Sequence, residues 1–535
     1  MKRNSFLIGS IILFLSSVAT KFLGAFYKIP LTKILGSSGL GIYQMIFPIY
    51  VLFVTLSSSG IVVALSKSIA SSKSKQKSKQ YFKAGLFANL IFCVFFSILF
   101  CILSPFFASK QGNLQFMWCY LLVLPSIFLS GICSVFKGYF FGKNKMTFTG
   151  FALVLEQISK IIFAILFSTL FSKFGTVFSV SGALLGITMS EVIVMLYYFV
   201  IYKKRSHSKE LYKKYVKTIL KIVKSSNNFV VKTSELSFWK TVQELLRTSF
   251  FVTIQASILP LVSAIDGVIV VPLLIESGIN NSVAYTLFGL TNGLIVSLVS
   301  IPVVAATSIG SAIIPNIQKK SAAENSFQIS FAIKIVWLVA ICFVSIFFVM
   351  PKDITNFLFS NVLSTRVVDE FVISADILKI SCFGTLYLCL LSLSTSILQG
   401  LGKSFVPARN LFFCAIFRFV ILFCLIKFFN LNIYAIQIAD ILFYGMCFAF
   451  NLLCIKKLAN IKLSFFKTIL FPIISAILMI FVIALLKKLL NNTLSPKILT
   501  AFIAGIGGLI YFSVLAITKA IDLKQIKSLI FKKQI

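Results

Sequence analysis

Apolar stretches long enough to cross a lipid bilayer recur along the whole chain, from Phe6 to Ile517. A membrane-spanning helix needs about 20 predominantly apolar residues. Hydrophobic residues make up 59% of the 535 residues and charged residues only 12%, well below the charged share of a soluble domain. The chain is therefore predicted to be an all-α polytopic membrane protein. The fourteen predicted spans are 6–30, 41–65, 84–108, 116–140, 149–172, 178–202, 248–275, 283–314, 329–350, 371–398, 410–428, 432–455, 468–487 and 498–518.

The loops between these spans carry an asymmetry of basic residues. If the N-terminus is cytoplasmic, the cytoplasmic segments hold 36 Lys and Arg residues and the outer loops hold 9. This bias follows the positive-inside rule and predicts that both termini are cytoplasmic. A missed or extra span would reverse the bias in every later loop, and no reversal is present. The net charge of +37 is therefore assigned to membrane topology and not to nucleic-acid binding.

Residues that support metal binding or catalysis are scarce. The eleven cysteines are scattered without a C-x-x-C or Cys/His spacing, and His207 is the only histidine. No phosphate-binding Walker loop and no G-x-S-x-G motif occur. The sequence predicts no catalytic residue, no metal site and no cofactor, so the chain is not expected to be an enzyme. The first apolar run is too long for a cleavable signal peptide and is interpreted as a retained helix.

A faint internal repeat indicates how the spans are grouped. The segments SVFKGYFFGK (134–143) and SILQGLGK (396–403) end the fourth and tenth spans. The six-helix offset indicates two similar halves, as in many secondary transporters, although turn chemistry alone can give such a match. We predict an N-lobe (1–202), a basic cytoplasmic linker (203–247), a C-lobe (248–455), and a last region with two more helices and a basic tail (456–535).

The predicted linker contains the basic segment KELYKKYVKTILKIVK. Its apolar residues, among them Leu211, Tyr215 and Ile219, recur near helical spacing. This pattern predicts an amphipathic helix on the anionic inner leaflet of the membrane. A solvated linker helix without a lipid partner stays open as the alternative.

Lys21 and Lys28 lie inside the first span, where charge is costly. At 1.5 Å per residue from Phe6, Lys21 lies about 22 Å into a hydrocarbon layer about 30 Å thick. A lysine at the centre of a spanning helix costs at least about 2.5 kcal/mol. Both lysines share a helix face with Gly24 between them, and such a face is suited to a bulky anionic ligand. Alternatively, Lys28 could extend its ammonium to the outer interface.

Acidic side chains also lie within the spans. Glu156 and Lys160 have the i,i+4 spacing of a helical ion pair and could simply neutralise each other. Asp266 could pair with Lys21, bind a coupling cation, or form a structural salt bridge. Arg418 lies near the middle of its span. The acids within spans are Glu156, Glu191, Asp266, Asp376 and Asp440.

Four segments together resemble the MOP-superfamily oligosaccharide flippases, in particular the stage V sporulation protein B branch, which is related to the MurJ lipid II flippases. They are KFLGAFYKIPLTKILGSSGLGIYQMIFPIYVLFVTLSSSGIVVALSKSIA, FKGYFFGKNKMTFTGFALVLEQISKII, SAIDGVIVVPLL and ILQGLGKSFVPARNLF. The resemblance implies two six-helix lobes around a central cavity, two extra C-terminal helices, alternating access, and a location in the bacterial cytoplasmic membrane.

The resemblance also implies site residues. The basic position of the family's first helix matches Lys21. MurJ proteins carry an arginine three residues after the matching Gly24, where this chain has Tyr27 followed by Lys28. In the eighth helix they carry a basic residue, where this chain has Thr291 and Asn292. We expect substrate-binding residues at Lys21, Lys28, Gly24 and Asn292, and coupling or cavity charges at Asp266, Glu156, Lys160 and Arg418.

These observations predict a flippase for a polyprenyl-pyrophosphate-linked glycan, either a lipid II-like peptidoglycan precursor or a polysaccharide repeat unit. The drive would be the membrane potential or a coupling ion, Na⁺ or H⁺. A MATE-type cation-coupled multidrug exporter and a non-transport scaffold for envelope or spore cortex assembly stay open as alternatives. The expected partners are the lipid-linked oligosaccharide and membrane lipids, without nucleic acid; no oligomeric state is predicted.

Overall fold

The computed structural model describes residues 2–72, 74–223, 238–317, 322–360, 363, 369–459, 461, 466–490 and 495–518. All regular secondary structure in these ranges is helical. Thirteen of the described helices are long and apolar enough to cross a membrane. The predicted all-α polytopic membrane fold is confirmed.

The first of these helices contains two of the predicted spans. Helix α1 extends over Lys2–Ser71, far longer than one bilayer crossing requires, and its helical geometry is interrupted at Gly36 (φ 71°, ψ 171°). This positive φ is accessible to glycine at little cost, so the bend falls at this residue. With α1 counted as two crossings, the described helices provide the fourteen predicted spans. The residues around Gly36 are helical rather than the loop predicted between the first two spans.

The next helices follow the predicted order closely. They are α2 (Lys75–Lys110), α3 (Phe116–Gly142), α4 (Met146–Phe171), α5 (Thr176–Val223) and α6 (Phe238–Glu276). Helix α5 continues through the basic segment that was predicted to be amphipathic, but the side chains of that segment lie outside the described residues.

The eighth predicted span is irregular near its start. It consists of α7 (Asn281–Phe288), a π-helical segment (Gly289–Ile295) and α8 (Val296–Ile317). The irregularity therefore precedes Pro302, the position at which a kink was predicted. Single π-helical turns occur frequently at functional sites.

The remaining helices complete the chain. They are α9 (Ala322–Val349), α10 (Pro351–Phe359), α11 (Glu370–Gly400), α12 (Phe405–Lys427), α13 (Tyr434–Ala459), a π-helical segment (Phe466–Leu470), α14 (Phe471–Leu490) and α15 (Pro496–Ile517). The short helix α10 lies in a segment predicted as an outer loop.

The chain forms two compact units. The N-terminal unit comprises Met1–Tyr27 and Met45–Val268, and the C-terminal unit comprises Lys28–Gln44 and Ile269–Ile535. The chain thus leaves the first unit between Tyr27 and Lys28, returns at Met45, and leaves again after Val268. Helix α6 begins inside the predicted linker, and its residues Val242 and Leu245 are buried in the core of the N-terminal unit.

Candidate functional site

Lys21 is an exposed cation well inside the first spanning segment. It lies fifteen residues after Phe6 and fifteen before the bend at Gly36, which corresponds to about 22 Å of helix on either side. Among the described residues, no carboxylate lies within 4 Å of its ammonium. Since a charge at this depth is costly in hydrocarbon, Lys21 requires water or an anion beside it.

Gly24 and Lys28 lie on the same helix as Lys21 but have different surroundings. A Cβ atom at Gly24 would lie 3.4 Å from the side-chain amide of Gln157 on α4, within the N-terminal unit. Lys28 belongs to the C-terminal unit and is half-buried. The two lysines predicted to share one helix face therefore belong to different units: Lys21 to the N-terminal unit and Lys28 to the C-terminal unit.

Lys28 contacts the π-helical segment of the eighth span. Its Nζ atom donates a hydrogen bond of 3.0 Å to the carbonyl oxygen of Gly293. The hydroxyl of Ser297 donates to the same oxygen at 2.6 Å. Asn292, the neighbour of Gly293, is half-buried. The structure thus brings Lys28 to the segment of Asn292, although the two residues are more than 260 positions apart.

A polar cavity of about 250 Å³ lies within the N-terminal unit. Four helices line it, and its charged groups are Lys137 on α3, Glu156 on α4 and Glu191 on α5. Glu191 is 7% exposed, and Tyr198, which also lines the cavity, is fully buried. The remaining lining residues are Val54, Ser58, Ser59, Val62, Ser130, Cys133, Ser134, Leu153 and Val194.

The expected ion pair between Glu156 and Lys160 is not formed. Among the described residues, salt bridges within 4 Å join other side chains, and the ammonium of Lys160 lies 4.6 Å from the centroid of the Phe47 ring. Cation–π contacts of this kind stabilise a partly desolvated ammonium. Glu156 instead lines the polar cavity together with Glu191 and Lys137.

The other predicted charges are buried elsewhere. Arg418 on α12 is 1% exposed, and its Nε atom lies 2.6 Å from Oδ1 of Asp440 on α13. Asp266 on α6 is 7% exposed. No group of three or more His, Cys, Asp or Glu residues that could hold a metal ion occurs in the described part of the chain.

The chain was compared with known protein families. A family model described as "Polysaccharide biosynthesis protein" matches residues 6–320, more than half of the chain. The chain belongs to this family. The matched region contains Lys21, Lys28, Asn292 and the cavity in the N-terminal unit.

Individual relatives agree with this assignment. Stage V sporulation protein B of Bacillus subtilis (strain 168) is 24% identical over 324 residues, which cover 60% of this chain and 59% of that relative. The chain thus spans about three fifths of that protein's length. Lipid II flippase MurJ of the same organism is 23% identical over 542 residues, which cover 95% of this chain and 94% of MurJ.

Solved structures share the fold. A structure of lipid II flippase MurJ in an inward closed conformation aligns with a TM-score of 0.69 at 14% identity, over 95% of this chain and 98% of that one. An inward-facing multidrug resistance MATE family transporter of the MOP superfamily aligns with a TM-score of 0.59 at 15% identity, over 83% of this chain and 96% of that one. The chain therefore has the MOP-superfamily fold. The names of these proteins describe a flippase and a transporter, and neither name describes a catalyst.

Proposed function

We propose that this protein is a flippase that moves a polyprenyl-pyrophosphate-linked glycan across the bacterial cytoplasmic membrane by alternating access. Lys21 is the observation that carries the proposal, because it is exposed within its span without a carboxylate within 4 Å among the described residues. A permanent anion that enters the membrane requires such a cation, since it loses its hydration there. The similarity to MurJ over 95% of the chain favours the same class of substrate.

The pyrophosphate would be the group that Lys21 recognises. A hydrogen bond between an ammonium and a phosphate oxygen contributes roughly 1.5–3 kcal/mol. Lys28 and Asn292 would act beside the π-helical segment, where Lys28 already donates to Gly293. The glycan would move through a polar, water-accessible path while the prenyl chain stays in lipid. A lipid II-like precursor and a polysaccharide repeat unit share this chemistry.

The energy source fits the charge of the substrate. An inside-negative membrane potential favours the outward movement of an anion by about 2.3 kcal/mol per charge per 100 mV. This direction assumes the cytoplasmic termini that the positive-inside rule predicts. Basic loops on the same side would hold anionic lipids of the inner leaflet. A coupling cation at Asp266 or Glu156 would add to this drive.

A MATE-type exporter is the second candidate, and the cavity that contains the half-buried Glu156 and the buried Glu191 favours it. An exporter of organic cations uses anionic cavity groups, and Lys21 would repel its substrate. A membrane scaffold for envelope assembly would depend on neither type of charge. The three functions therefore predict different effects of removing Lys21.

Complementation tests the proposal. The full chain is expressed in cells depleted of their lipid II flippase, and outer-leaflet lipid II is measured. We expect rescue by the wild type and by Lys21→Arg, and loss of rescue by Lys21→Ala. Lys33→Ala is the matched control, because Lys33 is also an exposed lysine of α1. Full rescue by Lys21→Ala would contradict the role of Lys21, and no rescue by a well-expressed wild type would exclude lipid II as the substrate.

A further inference from the structure

A second cavity, of about 130 Å³, lies within the N-terminal unit between α1, α2 and α6. Most of its lining is apolar and includes Phe92 on α2 and Phe250 and Ile254 on α6. These three side chains are exposed, so the cavity opens to the surface of the unit that lipid surrounds. Apolar cavities of about this size stay dry and accept apolar molecules. The size and the lining of the cavity therefore fit a hydrocarbon chain.

This apolar cavity lies in the cytoplasmic half of its helices. Its lining falls within residues 88–96 of α2 and 246–254 of α6, which corresponds to about 12 Å of each helix. The predicted spans of these helices begin at residues 84 and 248, and the positive-inside rule places both starts on the cytoplasmic side. The cavity therefore begins where the headgroups of the inner leaflet meet their acyl chains.

Aromatic rings join α2 to α6 at this cytoplasmic end. The ring of Phe87 on α2 lies 6.0 Å from the ring of Phe238 and 5.7 Å from that of Trp239, both on α6. Trp239 is 66% exposed. Tryptophan side chains are enriched at the level of the lipid headgroups, because their rings are amphipathic. The aromatic contacts therefore support the depth assigned to the cavity.

Two exposed cations lie at the same end of the cavity. Lys83 lies one turn before the aromatic contacts of α2, and Arg247 lies one turn before Phe250 on α6. The nearby acidic group on α6 is Glu244, which interacts with the hydroxyl of Tyr81 on α2. Basic side chains at the cytoplasmic ends of membrane helices attract the anionic headgroups of the inner leaflet. The charge at the opening thus complements an anionic lipid.

Ser249 gives an independent indication of a bound molecule. It lines the cavity two residues after Arg247, it is 8% exposed, and its hydroxyl has no hydrogen-bond partner among the described residues. A serine within a helix can donate to a carbonyl oxygen of the preceding turn, as Ser257 of the same helix does to Thr253 at 2.8 Å. Buried polar groups almost always have a partner. The Ser249 hydroxyl is therefore available to an acceptor atom of a molecule in the cavity.

We propose that this cavity binds one acyl chain of an anionic, ester-linked phospholipid of the inner leaflet. The lipid phosphate lies at Arg247 and Lys83. The hydroxyl of Ser249 donates to an ester carbonyl oxygen, and the acyl chain continues between Phe92 and Ile254. The order of these groups along α6 matches their order in the lipid, where the ester follows the phosphate towards the membrane centre. This binding site does not depend on the proposed flippase function.

The Ser249 hydroxyl distinguishes among the lipids that could enter. A polyprenyl pyrophosphate also joins an anion to a hydrocarbon chain, but it has no ester carbonyl. In its complex the hydroxyl would stay without a partner, which is costly for a buried group. A neutral diacyl glycolipid has the carbonyl but lacks the charge that Arg247 and Lys83 would bind. An anionic phospholipid supplies both groups.

Native mass spectrometry tests the chemistry of the ligand on the unmodified protein. The full chain is delipidated in detergent, and the binding of phosphatidylglycerol is compared with that of its ether-linked analogue, phosphatidylethanolamine and a polyprenyl phosphate. We expect ester-linked phosphatidylglycerol to bind most tightly, and about fivefold more tightly than the ether analogue, as one neutral hydrogen bond implies. Equal binding of the ester and ether lipids would overturn the contact with Ser249. This comparison needs no variant.

Variants locate the binding site. Arg247→Gln should weaken the binding of phosphatidylglycerol about tenfold, as the loss of one charge-assisted hydrogen bond implies. Ser249→Ala should abolish the difference between the ester and ether lipids. Lys67→Gln and Ser263→Ala are the matched controls, because both residues are exposed and lie outside the lining of the cavity. Both controls should leave the binding unchanged.

Tryptophan fluorescence tests occupancy at the cavity in a bilayer. Trp118→Phe removes the other exposed tryptophan, so the quenching of Trp239 by brominated lipids can be followed in vesicles. We expect stronger quenching by brominated phosphatidylglycerol than by brominated phosphatidylethanolamine, and loss of this preference in Arg247→Gln. Equal quenching by both lipids would show ordinary bilayer contact only and would overturn the proposal. Tighter binding of the polyprenyl phosphate than of phosphatidylglycerol would overturn it in favour of a carrier lipid.

Discussion

The ammonium of Lys28 donates a hydrogen bond of 3.0 Å to the carbonyl oxygen of Gly293. This contact joins the first spanning segment to the π-helical segment of the eighth within the C-terminal unit. A lysine near the outer end of a span would be expected to extend towards water. Lys28 is half-buried instead, and its charge stays at the carbonyl oxygen of Gly293, the residue after Asn292.

Removal of the Lys28 charge should impair transport more than stability. Lys28→Met keeps the length of the side chain but loses a cation that would bind the pyrophosphate. We expect the rate of lipid II flipping in vesicles to fall about tenfold, as the loss of one charge-assisted hydrogen bond implies. Ser297→Ala is the control, because Ser297 donates to the same carbonyl oxygen without charge. Equal rates in both variants would contradict a role for the Lys28 charge.

The ion pair between the buried Arg418 and the partly buried Asp440 should have a structural role. Removal of one partner takes away the 2.6 Å contact between the two charges, and breaking a buried ion pair in this way costs about 3–5 kcal/mol. Arg418→Met and Asp440→Leu should each lower the thermal unfolding temperature in detergent strongly. The double variant should recover most of that loss, because two apolar side chains can replace a buried ion pair. Double-variant protein that is stable but does not transport would show instead that Arg418 acts on the substrate.

Hydropathy and loop charge were sufficient to predict the all-helical membrane fold and its spans, because the bilayer dictates helix length. They could not predict the bend at Gly36, which depends on one backbone conformation. They also could not show that Lys160 lies over Phe47 rather than beside Glu156. Which residues of one helix meet those of another depends on helix rotation and packing, and a linear pattern does not contain that information.

The contacts within the candidate site could not be predicted from the sequence either. Glu156 and Glu191 were both recognised as acids within spans, but their shared cavity with Lys137 and Tyr198 requires three helices to present particular faces. Lys137 was not among the predicted site residues, and it lies five residues before the end of α3 at Gly142. Residues as far apart in sequence as Lys28 and Gly293, which are separated by 265 positions, come together only in the folded chain.

Close packing at Gly41 gives a prediction on stability. A Cβ atom there would collide with the backbone carbonyl of Tyr285, which cannot move without shifting α7. Gly41→Ala should therefore destabilise the C-terminal unit by about 1–3 kcal/mol or more, as overpacking does. Gly505→Ala is the matched control, because no atom beyond its chain neighbours and the nearby backbone of its own helix would lie within 4 Å of its Cβ. Both changes raise helix propensity, so the difference between their unfolding temperatures isolates the collision at Gly41.

Gln111 provides the last prediction, because it connects two borders of the N-terminal unit. It is fully buried directly after α2, and its amide donates to the carbonyl oxygens of Met45 at 3.2 Å and Gly267 at 3.1 Å. Its own side-chain oxygen accepts a hydrogen bond of 2.8 Å from the hydroxyl of Tyr120. The chain enters the unit at Met45 and leaves it one residue after Gly267.

Gln111→Leu should therefore remove the hydrogen bonds that hold the backbone at Met45 and Gly267, close to the points at which the chain passes between its compact units. The Tyr120 hydroxyl would lose its acceptor, and one buried polar group without a partner costs about 1–3 kcal/mol. We expect a lower thermal unfolding temperature in detergent and faster amide hydrogen exchange around Met45 and Gly267. Gln115→Leu is the matched control, since Gln115 is exposed only four residues away. Unchanged exchange at both borders in Gln111→Leu would show that these hydrogen bonds do not hold the crossing segments in place.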